Sequence, residues 1–246
     1  MAVTPLAAPA SDPSAAVVAF LGSVLIAVAA LVFGFYAVAN LRLNRLESQG
    51  PFWRYLALVG ATAAMYGLLG VAEIAVESRL LTAFGHGALL LCIVFLAFSM
   101  REVYYNSALA PPPDERRFSL DTLRRVETAF VVVIAVEWLG VLLIEQLVVA
   151  QFVKAGGSLA FAAYGVVFAE KLEAVARGTS LDTLRRHLVP VLVCLGAVGV
   201  VDLGTFVGAS PVVVDAVRSV FVVLVAGFLI TATIRLQQNV VGLSAS

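Results

Sequence analysis

The sequence predicts an all-α polytopic membrane protein: a bundle of seven transmembrane helices with the amino terminus outside and the carboxyl terminus in the cytoplasm. Three observations predict it. Of 246 residues, 61% are hydrophobic and only 13% charged, with a mean hydropathy of +1.01, far too apolar for a soluble domain of this length. The apolar residues gather into seven runs of roughly 20 residues, the length a helix needs to cross the hydrocarbon core. Thirteen of the sixteen basic residues then fall on one side, as the excess of Lys and Arg in cytoplasmic loops requires.

A repeated heptapeptide fixes which side that is. Ser119-Leu120-Asp121-Thr122-Leu123-Arg124-Arg125 returns 61 residues later as Ser180-Leu181-Asp182-Thr183-Leu184-Arg185-Arg186, each time running into an apolar stretch. Ser119 and Ser180 are helix caps by type, the aspartate suits the positive helix end, and the arginine pair belongs where water meets lipid. Both helices therefore start on the cytoplasmic side. The spacing of one helical hairpin is compatible with duplication of helices 4–5 as helices 6–7, and equally with two similar starts meeting one interfacial demand.

Residues 1–14 carry Pro5, Pro9 and Pro13 without a basic stretch and read as a short external tail. The seven-helix domain occupies 15–235. Helix 1 covers about Ala15 to Leu41 and ends at Arg42 and Arg45; Trp53 and Tyr55 anchor the start of helix 2, which extends to about Val76. A turn at Glu77-Ser78-Arg79 leads into helix 3, about Leu80 to Met100. The segment 101–125, with Pro111-Pro112-Pro113, is the long cytoplasmic loop. Helices 4 to 7 cover about Val126–Ile144, Val148–Val167, Leu188–Val207 and Val212–Ile234, and 236–246 is a cytoplasmic tail. Gly67 with Gly70, Gly156 with Gly157, Gly196 with Gly199, and Gly204 to Gly208 as a G-x-x-x-G mark packing seams, the last also an oligomer face.

Ionisable residues inside spans are the usual pointers to function, since a bare charge in hydrocarbon costs roughly 2.5 kcal/mol or more. At the helical rise, Glu137 lies near mid-membrane, Asp202 in the outer third and Glu73 near the outer boundary. Glu77, Arg79, His86, Glu145, Lys154, Asp215 and Arg218 also fall in the outer half, while the cytoplasmic half reads as almost purely aliphatic. That layout suggests a polar cavity open outward above a dry plug. Lys154 is a partner for Glu137; Asp215 and Arg218, at i, i+3, are partners for each other; Glu73, Glu77 and Arg79 can simply terminate a hairpin. Arg124, Arg125, Arg185 and Arg186 form a cytoplasmic face for lipid or a partner.

The remaining chemistry is negative. His86 lies near the outer face and His187 at the cytoplasmic start of helix 6, so one haem iron cannot take both. Cys92 and Cys194 have no metal-ligand spacing and read as small buried hydrophobes. No nucleophile motif, paired-histidine motif, phosphate-binding glycine loop or dinucleotide fingerprint appears, so neither a catalytic nor a metal centre is expected. Net charge is zero, and no basic field recommends nucleic acid.

Phe52-Trp53-Arg54-Tyr55 through Met65-Tyr66-Gly67-Leu68-Leu69-Gly70 resembles the second helix of the microbial rhodopsins. Arg79-Leu80-Leu81-Thr82 with Leu89-Leu90-Leu91 resembles their third, and Thr183-Leu184-Arg185-Arg186 the start of their sixth. The resemblance covers about half the chain and implies a seven-helix bundle with an outward cavity. It also departs from the family: helix 7 holds no lysine for a retinal Schiff base, Ser219 or Ala226 standing there according to register. Thr82 replaces the carboxylate of proton-pumping relatives, and helix 6 lacks tryptophan. The resemblance thus implies no covalent retinal, and leaves noncovalent chromophore binding open.

The resulting expectation is a non-photochemical, rhodopsin-like protein of the plasma membrane, a sensor, accessory or interaction subunit. Glu137, Asp202, His86 and Arg79 would line its outer cavity, with the bilayer, a membrane or cytoplasmic protein, or a second copy as partner. The alternative is a proton- or cation-coupled transporter of a small solute, with Glu137 and Asp202 as carriers.

Overall fold

A computed structural model describes residues 13–44, 49–76, 78–106, 119–144, 147–176 and 180–244. The elements are α1 (Pro13–Leu43), α2 (Gly50–Ala75), α3 (Arg79–Tyr105), α4 (Leu120–Ile144), α5 (Leu147–Ala176), α6 (Ser180–Val201), a 3-10 segment (Asp202–Val207) and α7 (Pro211–Ser244). No strand occurs among the described residues. Six of the helices, all but α4, are long and apolar enough to cross a membrane. Both cysteines are buried and free, as their apolar surroundings predict.

Several helices outrun their apolar stretches at the end carrying the arginines, and in each case a polar side chain finds a partner inside the bundle. α7 continues past Arg235 because Asn40 of α1 is fully buried there: its Nδ2 donates to the Leu236 carbonyl at 3.0 Å and its Oδ1 accepts from Asn239 at 2.6 Å. α5 continues to Ala176, with Leu172 buried and the Lys171 ammonium over the Phe168 ring at 5.4 Å. Hydropathy sees only the lipid-length run, so it ends such helices early.

Six helices close a ring in the order α1, α2, α3, α5, α6, α7, with α7 packing back on α1 and α3 touching α6 across the middle. Phe33, Leu56, Leu89, Ile93, Leu96 and Leu188 are fully buried at its centre. α4 stands outside this ring, against α3 and only lightly against α5, whereas α6 and α7 pack along their lengths. The hairpins α4–α5 and α6–α7 are therefore not packed alike.

Small residues set the closest approach. Gly60 of α2 meets Gly34 of α1 backbone to backbone, and a Cβ on Gly67 would lie 2.7 Å from the Ala27 nitrogen. Gly204 and Gly208 do not make a helical seam. They fall in and after the 3-10 segment, where side-chain spacing is no longer that of an α-helix, and Gly208 adopts φ 90°, which turns the chain into Pro211.

Candidate functional site

A polar cluster is built where α6 loses its α pitch. Asp202 opens the 3-10 segment, held between Lys154 of α5, on its Oδ2, and Arg218 of α7, on its Oδ1. Arg218 also reaches Asp215 one turn earlier at 3.1 Å. Lys154 is 2% exposed and Asp202 9%, so one cation and the carboxylate are removed from water together, while Arg218, 39% exposed, closes the trio from its rim. The partner expected for Lys154 was Glu137, whose side chain lies outside the described residues; among the described residues Lys154 binds Asp202, where α5 lies against α6. Glu77 and Glu145 also lie outside the described residues.

The other candidates expected in the outer half are placed as follows. Glu73, near the end of α2, accepts a hydrogen bond from Thr82 in the first turn of α3, which ties the hairpin shut. Arg79 is the exposed first residue of α3. His86 is partly buried, and its Nδ1 has no hydrogen-bond partner among the described residues. Those residues contain no group of three His, Cys, Asp or Glu side chains able to hold a metal ion.

The expectation of an aliphatic cytoplasmic half is overturned. α3 runs five residues beyond Met100 and carries Arg101 and Glu102 into the bundle, 0% and 1% exposed. Arg101 binds Glu127 of α4 through Nη1 and Glu102 through Nη2, the latter at 2.7 Å. Glu102 also accepts from Arg124 of α4 at 3.0 Å and from Asn106 at 3.0 Å; Glu127 accepts from the Tyr164 hydroxyl of α5 at 2.8 Å. Arg101 further lies over the Phe98 ring at 5.6 Å. Two arginines and two glutamates thus form a neutral network, buried except for Arg124, whose side chain is 46% exposed. The available signal was a glutamate, Glu127, just inside an apolar run and three residues after Arg124, which alone of the two was assigned to the water boundary.

The two heptapeptides perform one task. In the first, Ser119 Oγ accepts from the Thr122 amide at 3.1 Å, the expected cap, and Arg124 reaches back to Glu102, three residues before the last residue of α3. In the second, Arg185 reaches back to Glu173 at 3.2 Å, again three residues before the end of its helix, α5, and also binds Asp182 and the Ala169 carbonyl. The shared geometry pairs α3–α4 with α5–α6, a different division from helices 4–5 and 6–7. It also divides the four arginines assigned to a partner face. Arg185 is buried and Arg124 is engaged by Glu102, whereas Arg125 and Arg186 stay exposed, Arg186 bound to Asp182 at 3.0 Å. Ser119→Ala should lower stability by on the order of 1 kcal/mol in a chemical-denaturation titration, with Ser119→Gly costing less.

No protein-family model matches this chain, and no curated protein matches it in sequence.

Proposed function

We propose that the chain is a seven-helix protein of the plasma membrane, amino terminus outside, that acts as a sensor, accessory or interaction subunit and not as a coupled carrier. One observation carries this reading: Asp202, one of the two carboxylates named for a carrier, is closed on both oxygens by Lys154 and Arg218. A coupling carboxylate must load and release a proton or cation during each cycle, whereas a buried carboxylate between two cations already has both oxygens occupied. Support for the orientation comes from Arg42, Arg124, Arg125, Arg186 and Arg235, which gather at the end where α1, α3, α5 and α7 finish. The arrangement suits a protein whose helices change relation to one another when something outside or beside them binds.

Purified protein reconstituted into liposomes with an internal pH dye should give no proton or cation flux above empty liposomes under an imposed gradient. Flux that disappears in Asp202→Asn would replace this reading with the carrier.

A further inference from the structure

We propose that α4 is a releasable latch helix, held on the ring by a charge network that can exchange partners without leaving a buried charge uncompensated. The ring α1–α2–α3–α5–α6–α7 closes beneath α4, so α4 can leave without opening it. Its outer face presents Val126, Val132, Val133, Val136 and Leu139, 47–61% exposed, and in a bilayer no hydrophobic force presses such a helix onto its neighbours. What holds it is local. Trp138 sits against Gly87 with its ring 5.2 Å from Phe84, and Phe130 meets Phe161 at 4.4 Å. At the cytoplasmic end the buried network fastens it.

The network's composition makes it two-state. In the observed arrangement Arg101 of α3 binds Glu127 of α4, and Arg124 of α4 binds Glu102 of α3, so the charges cross the helix interface. Yet α3 contributes one arginine and one glutamate, already paired with each other at 2.7 Å, and α4 contributes one of each, Arg124 and Glu127, at the i, i+3 spacing that lets them pair on one helix face. If α4 withdraws, each helix neutralises itself. Breaking a buried pair is ordinarily prohibitive because an uncompensated charge remains; here none does. The interhelical pairs and the Tyr164–Glu127 hydrogen bond set the preference for the closed arrangement. The latch serves a sensor or a carrier equally, so its test is a distance and not an activity.

The scheme predicts an asymmetry between the two carboxylates. Glu127→Gln removes one of the two crossing pairs and leaves Arg101 with Glu102, while Arg124, 46% exposed, can exchange Glu102 for water without being stranded, so α4 should release. Glu102→Gln leaves Arg101 dependent on Glu127, so opening would strand Arg101 and α4 should stay closed. The measurement is electron-spin distance on full-length protein in lipid nanodiscs, in a Cys92→Ala/Cys194→Ala background. One label pair spans positions 126 on α4 and 58 on α2; a control pair spans 58 and 183, on α2 and α6 of the ring. In Glu127→Gln the 126–58 distance should shift by on the order of 5 Å, one helical turn, with the control unchanged. Glu102→Gln should leave both distances as in the native chain. Tyr164→Phe, which alters no charge, should show a smaller fraction of the shifted population, and decides the matter if Glu127→Gln does not fold. Movement of both pairs together, release in both carboxylate variants alike, or an unmoved 126 label in Glu127→Gln or Tyr164→Phe would overturn the proposal.

Discussion

Asp202→Ala will destabilise the fold by about 3–5 kcal/mol, the cost of leaving one member of a buried ion pair without its partner. The stranded group is Lys154, 2% exposed, with a flexible stem and no other carboxylate bonded to it among the described residues. Arg218 contributes less, because it is 39% exposed and keeps Asp215, so its share is discounted for screening. Removing both buried charges should restore most of the loss: Lys154→Met/Asp202→Leu exchanges the pair for apolar groups of similar volume, which is often close to neutral. Chemical denaturation of the single and double variants in one detergent checks this. A single variant as stable as the native chain, or a double variant no better than the single, would show that the trio is not paired as described.

Gly60→Ala will also destabilise, whereas Gly34→Ala, on the opposite side of the same contact, will be tolerated. Helix propensity alone argues for a gain of about 1 kcal/mol at either position. Packing decides the sign. A Cβ on residue 60 would lie 2.7 Å from the Gly34 nitrogen and 3.1 Å from the Ala30 carbonyl oxygen, both backbone atoms that cannot rotate away. A Cβ on residue 34 comes no nearer than 3.4 Å to Gly60, an ordinary contact. The α1–α2 pair must therefore separate in the first variant, with an overpacking cost of about 1–3 kcal/mol, and not in the second. Thermal unfolding of the two proteins should place Gly60→Ala clearly below native and Gly34→Ala at or above it. Equal midpoints would mean that the helices cross elsewhere.

Much of the fold was legible in hydropathy and local chemistry. The seven apolar runs each became a helix, Ser119 caps α4, and Cys92 and Cys194 are buried. The candidate residues were less legible. Asp202, Lys154, Arg218 and Asp215 come together, but the pairing of Lys154 with Asp202 could not be read, because Glu137 on the adjacent helix had the same charge and a similar depth. Arg101, Glu102 and Glu127 escaped notice altogether: a charge next to an apolar run looks the same in sequence whether it faces headgroups or turns inward. Only Tyr164 and Asn106 around them, distant or unremarkable in sequence, mark the inward turn.

By itself the sequence determined that this chain belongs in a membrane and where its helices lie, because in lipid every backbone amide must be satisfied within its own segment and only a helix does so for a run of this kind. It determined the cap of α4 too, since Ser119 closes that helix through a bond between residues three apart. The tertiary structure alone decided that six helices close a ring with α4 outside it, that Arg101 is wholly buried, and which carboxylate holds Lys154. Those are choices among neighbours. Lipid tails are as apolar as the helices they surround, so hydropathy carries no information about which faces meet, and close packing with polar pairing makes the selection.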